Sequence, residues 1–173
     1  MEDLISQIRQ GLEFNLYYLS LHSTLAIPDI CGAINSPSGK ASGEKYREWY
    51  DKYVLPCFDT LTSDECYEYR CTSLHQGTSE PKNHAVKDYE RIIFIEPSMN
   101  NLIINVKRMK GGLDNNYAIM INLKEFCNAI LRGAEKWIID YKNTEPFETN
   151  YKRIMKRHPL GIGTYISGVP VIS

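Results

Sequence analysis

The chain has 173 residues, 43% hydrophobic and 24% charged, which fits one globular domain with its own core and excludes a disordered or fibrous chain. Its formal net charge is -1, so the broad positive field that draws strongly basic proteins onto phosphate backbones is absent, and any nucleic-acid contact must be local. No apolar run approaches the roughly 20 residues a bilayer requires, and the acidic start Met1-Glu2-Asp3-Leu4 does not read as a signal peptide. A cytoplasmic protein with no membrane contact is expected.

Residues 2–25 place Leu4, Ile8, Leu12, Leu16 and Leu19 at spacings of four and three, predicting one amphipathic helix that Gly11 interrupts only mildly. Pro28 ends it, residues 27–34 predict a short helical turn, and the Ser/Pro/Gly-rich residues 35–43 read as an exposed loop. Residues 42–55 bring Tyr46, Trp49, Tyr50 and Tyr53 to one side of a second helix, stopped by Pro56. Thr62-Ser63-Asp64-Glu65 is a capping box opening a third helix, predicted to bury Tyr67, Cys71 and Leu74 and to stop at Gly77.

Between residues 89 and 121 the composition turns β-rich. Segments 89–96 and 102–106 predict an antiparallel hairpin or small sheet, with 118–121 as a third strand. Asn122-Leu123-Lys124-Glu125 is a second capping box, opening a helix with Phe126, Cys127, Ile130, Leu131, Ala134, Trp137, Ile138 and Tyr141 on one stripe. Residues 151–157 form a short basic helix candidate. The predicted class is mainly α, a four-helix bundle (residues 1–142) with a β insertion around 89–121, followed by a partly ordered extension, 143–173.

The five cysteines, Cys31, Cys57, Cys66, Cys71 and Cys127, are odd in number, which argues against a disulfide framework, and none has Cys-x-x-Cys spacing. Cys71 and His75 stand four apart, but two ligands make no metal site. There is no Gly-x-x-x-x-Gly-Lys-Ser/Thr loop for a nucleoside triphosphate. No metal or other cofactor is expected.

The misplaced polar residues lie on the third helix. Arg70 borders its apolar stripe and His75 falls in its last turn. Five residues correspond to about 140° of rotation, so the two share a face only if the final turn distorts. Histidine moves a proton near neutral pH, and arginine holds a phosphate with two oxygens at once. Together they suit metal-independent RNA cleavage, which needs a base for the 2′-hydroxyl, an acid for the departing 5′-oxygen and positive charge on the phosphate.

Arg70-Cys71-Thr72-Ser73-Leu74-His75, near the end of a helix in a small bundle, resembles the Arg-x4-His motif of the HEPN superfamily. The residue after the arginine is usually asparagine or aspartate there; here it is Cys71. The resemblance implies a HEPN-like bundle and a metal-independent endoribonuclease with Arg70 and His75 catalytic. It further implies a homodimer, and a toxin or phage-defence role with an antitoxin or regulatory subunit as a further partner. RNA, tRNA among the candidates, is the implied substrate and a 2′,3′-cyclic phosphate the product.

Ser73 and Gln76 are candidate auxiliary donors, and Lys152, Arg153, Lys156 and Arg157, with His158 beside them, form a basic patch able to track a phosphate backbone or simply a solvated face. Other readings stand beside these. A helix-terminal histidine serves equally as a C-cap, and Tyr46, Tyr50 and Tyr53 stack bases or pack the core. His22 reads as a core-edge residue, and His84 sits in a polar loop. A non-catalytic HEPN-like module binding RNA or a nucleotide, or a protein-interaction subunit built on the tyrosine-rich face, is the alternative function.

Overall fold

The structure, a computed structural model, describes residues 1–80, 89, 91–97, 104–110 and 117–173, for 107–110 the backbone only. His84 and the first part of the predicted 102–106 strand lie outside the described residues. The described chain is mainly helical with a small sheet portion, and none of its helices is long and apolar enough to cross a membrane.

The predicted first helix is two. It breaks into α1 (Glu2–Glu13) and α2 (Tyr17–Leu25) because Asn15 takes φ 60, a left-handed conformation that ends a helix and that asparagine tolerates better than most residues. The break turns the second half of the stripe around. Ile5, Ile8 and Leu12 stay in the core, but Leu16 and Leu19 face out, and Tyr17, Leu21 and Leu25 take the inner positions. After the break, α3 (Ile27–Ile34) carries Pro28 in its first turn, where a missing N–H costs nothing because first-turn donors have no helical partner.

Ser42 caps α4 (Gly43–Tyr53), and Tyr46, Trp49, Tyr50 and Tyr53, expected on one side of it, are buried. The stripe of α6 (Leu123–Tyr141) packs against it. Contact is close at Gly133, where a Cβ would sit 3.2 Å from Trp49, from Tyr53 Cβ and from the Tyr53 carbonyl.

The Thr62–Glu65 capping box opens α5 (Ser63–Gln76) with both arms made, and Gly77 closes it at φ 67, the left-handed cap for which glycine carries no Cβ penalty. Its buried face differs from the prediction. Cys66, Tyr69, Thr72 and Ser73 face the core, and Tyr67, Cys71 and Leu74 are half-buried. The reason lies in the partners: Tyr46 Oη lies 3.4 Å from Cys66 Sγ, and the Tyr69 ring lies 5.1 Å from that of Phe94. Phe94 in turn meets Phe126 at 5.0 Å, an aromatic chain that welds α5, the sheet and α6 together.

The sheet is mixed, not the predicted antiparallel hairpin. β1 (Arg91–Ile95) runs parallel to β3 (Tyr117–Asn122), and β2 (Val106–Lys110) pairs antiparallel on the far side, giving the order β1-β3-β2. β3 takes the centre because Ile119 and Ile121 are fully buried, and a central strand has both backbone edges paired. The second capping box is half made. Asn122 Oδ1 accepts from Glu125 N at 3.0 Å, but the Asn122 N–H is taken by Asn105 Oδ1 at 2.8 Å, and Asn105 Nδ2 donates to the Glu125 carboxylate.

Residues 143–173 carry α7 (Glu145–Tyr151), then β4 (Arg157–His158) paired with β7 (Val171–Ile172), and β5 (Gly161–Ile162) paired with β6 (Ile166–Ser167). The predicted 151–157 helix is therefore not formed. Lys156 and Ser173 exchange backbone hydrogen bonds at 2.8 and 3.0 Å, and that ladder takes the backbone groups a helix would need.

Candidate functional site

Arg70 and His75 meet. Nη1 of Arg70 lies 3.2 Å from Nε2 of His75, although α5 is regular to Gln76. No distortion of the last turn brings them together; the long arginine side chain reaches forward along an axial separation of about 7.5 Å. A guanidinium only donates, so Nε2 is the acceptor in this contact and the proton of the neutral ring sits on Nδ1. His75 is exposed and Arg70 half-buried.

Behind Arg70 stands Asp29, in the first turn of α3, its Oδ2 2.7 Å from Arg70 Nε. The two groups are in direct ion-pair contact. Both side chains are largely shielded, 20% exposed for Arg70 and 14% for Asp29. Burial pushes the Asp29 carboxyl above its ordinary 3.8, and the nearby Arg70 guanidinium pulls it back without cancelling that. The result is a line of three groups, Asp29–Arg70–His75, from a half-buried carboxylate to an exposed imidazole. Arg70 Nη1 also lies 3.8 Å from Cys71 Sγ, so the residue that departs from the usual motif touches the site.

The remaining candidates separate from this pair. Ser73 is buried and its hydroxyl has no hydrogen-bond partner among the described residues, whereas Gln76 is exposed on the last turn. Arg153, Lys156 and Arg157 line a groove formed by α1, α3 and the tail, which Arg70 and His75 do not line; Lys152 is exposed beside it. His22 is half-buried, its ring 4.3 Å from that of Tyr18. Tyr46, Tyr50 and Tyr53 are in the core, which leaves no face for base stacking. Among the described residues no group of three or more His, Cys, Asp or Glu side chains could hold a metal.

Asp29 is the residue the sequence reading passed over. The signal was present: it is the only charge in Ile-Pro-Asp-Ile-Cys-Gly-Ala-Ile, and a charge in an apolar segment needs a partner. No protein-family model, curated protein or solved structure matches the chain.

Proposed function

We propose that this protein is a HEPN-like, metal-independent endoribonuclease acting as a homodimer. The observation that carries the reading is the 3.2 Å contact between Arg70 and His75, with Asp29 set behind the arginine. An arginine with free donors beside an exposed imidazole suits phosphodiester transesterification. The 2′-oxygen attacks phosphorus, its proton passes to a base, the bond to the 5′-oxygen breaks and that oxygen takes a proton from an acid. The products are a 2′,3′-cyclic phosphate and a 5′-hydroxyl.

The geometry suggests an order of events. With no substrate, Arg70 occupies the Nε2 lone pair of His75. A phosphate competes for the same guanidinium donors, because Arg–phosphate bonds are charge-assisted and bidentate, and its arrival releases Nε2 for proton transfer. Asp29 keeps the guanidinium on station throughout. One chain supplies one such histidine, whereas the reaction uses an acid and a base, so a second copy would supply the other. The exposed apolar side chains of Phe14, Tyr18 and Leu19 around the α1–α2 junction, each more than 60% exposed, offer that copy a surface.

The test is cleavage of a mixed tRNA and structured-RNA pool in excess EDTA, wild type against His75→Ala and Arg70→Ala, with the product termini mapped. Cyclic-phosphate ends lost in both variants support the proposal. RNA left intact by the wild type, or cut equally well by both variants, defeats it and favours a non-catalytic RNA- or nucleotide-binding module.

A further inference from the structure

A cavity lined by described residues lies away from Arg70 and His75. It is a half-open groove of about 540 Å³ between α1, α3 and the tail, within the roughly 300–1,000 Å³ typical of small-molecule sites. Leu4, Ile30 and Ile34 line it from α1 and α3, and Ile154, Met155 and Ile172 from the tail. The lining is aliphatic, with no aromatic ring among its residues. Three cations, Arg153, Lys156 and Arg157, join the lining from the tail, and Asp3 is its only acid.

Two features make this more than a gap under a loop. The tail is fixed over the groove: Lys156 and Ser173 exchange backbone hydrogen bonds, and Arg157 pairs with Ile172 in the β4–β7 ladder. Asn150 ties the helix that leads into the tail to the end of α3, donating to Ile34 O at 2.9 Å and Ser36 O at 2.8 Å. The cations are also uncommitted, because among the described residues no ion pair or side-chain hydrogen bond engages Arg153, Lys156 or Arg157.

We infer that this groove binds a single-chain aliphatic carboxylate, its hydrocarbon tail between α1, α3 and Ile154 and its head group on Arg153, Lys156 and Arg157. The chemistry separates this occupant from its rivals. A nucleotide or RNA base would look for an aromatic or similar face to stack on, and the lining has none. An amphipathic acidic helix is about 10 Å across and needs a long open trough, whereas this volume suits a small molecule. Methionines such as Met1 and Met155 adapt to a flexible chain without fixing its length. The site is independent of the nuclease reading and stands or falls without it.

The test is isothermal titration of the folded protein with sodium dodecanoate below its micelle concentration, against the uncharged isostere dodecanol. Dodecanoate should saturate one site, and dodecanol should bind at least about tenfold more weakly, as loss of a charged head-group contact implies. The double variant Lys156→Glu/Arg157→Glu should lose a similar factor; both side chains are exposed, so circular dichroism should show an unchanged fold. Ala33→Phe, which fills the groove from a half-buried position, should abolish binding. Absence of a saturable dodecanoate site in the wild type overturns the inference, as does equal binding of the alcohol or full affinity in the double variant. Displacement of bound dodecanoate by an acidic peptide or a nucleotide at lower concentration than by decanoate also overturns it, assigning the groove to that class.

Discussion

Asp29 Oδ2 and Arg70 Nε stand 2.7 Å apart, joining the first turn of α3 to the middle of α5 directly behind His75. Burial holds the Asp29 carboxyl above its ordinary 3.8, so the folded protein binds that proton more tightly than the unfolded chain does. Stability from this group is therefore greatest in acid and declines as pH rises from 3.8 through the raised value.

Asp29→Asn removes the titration while keeping the shape. It also leaves the largely shielded Arg70 without its counter-ion, and losing one partner of such a pair is costly, so urea unfolding at neutral pH should place the variant about 1–3 kcal/mol below the wild type. The stability difference should move in the variant's favour as pH climbs through that window. RNA cleavage should nevertheless fall by about 10- to 100-fold, since small misplacements of a clamp carry large rate costs. A variant as active as the wild type would show that Asp29 does not position Arg70.

Arg70→Lys separates charge from geometry. Lysine is a point charge on a flexible stem and cannot contact Asp29, His75 and a phosphate through three differently directed nitrogens. Cleavage should drop by about 100-fold or more, with binding of a non-cleavable RNA analogue reduced far less. Equal loss of binding and turnover would mean that Arg70 acts only as a ground-state anchor.

The parts of the fold legible in sequence were those governed by local chemistry. The Thr62–Glu65 box, the Gly77 stop, the Tyr46–Tyr53 stripe and the long stripe of α6 all follow from spacings within a few residues, and the structure contains each. What sequence missed was set by distant partners. Leu16 and Leu19 fit a helical stripe perfectly, yet one residue, Asn15 in the left-handed region, turned them to the surface. The buried face of α5 carries Cys66, Thr72 and Ser73 because Tyr46 and Phe94 claim that side, information that no window around α5 contains. The parallel pairing of β1 with β3 is likewise a long-range fact. At the site, Arg70 and His75 were legible as a motif, whereas Asp29 is about 40 positions away and becomes visible only once α3 is laid beside α5.

A second electrostatic link has the opposite pH sign. Arg9 and Glu135 form a two-pronged pair, Nη1–Oε1 at 2.6 Å and Nη2–Oε2 at 2.9 Å, between α1 and α6. The hydrogen bonds from Arg9 hold the Glu135 carboxyl below its ordinary 4.5. Its contribution is therefore present above 4.5 and lost as pH falls through the lowered value. Both side chains are about two-fifths exposed, so solvent screening limits the effect, and Arg9→Ala should cost only about 0.5 kcal/mol at neutral pH. Denaturant melts of wild type and variant should converge in acid. A gap that persists below the carboxylate range would trace the loss to packing of the arginine stem instead.

The proposed homodimer can be tested at the α1–α2 junction. Phe14, Tyr18 and Leu19 are 74%, 67% and 63% exposed, and large apolar side chains exposed close together in sequence are candidates for a contact surface. Because none of the three contributes to the core, Phe14→Asp with Leu19→Asp should leave the circular dichroism and melting transition nearly unchanged. Placed at the centre of an interface, two charges should weaken association by about 100-fold or more, as hot-spot losses of 2 kcal/mol each imply. Light scattering should then report a dimeric wild type and a monomeric double variant. If catalysis pairs a histidine from each copy, cleavage should disappear with the dimer and return in part at high protein concentration, because mass action restores the complex. A double variant that stays dimeric moves the interface elsewhere. A monomeric variant with full cleavage removes the need for a second histidine, leaving acid and base to be found within one chain.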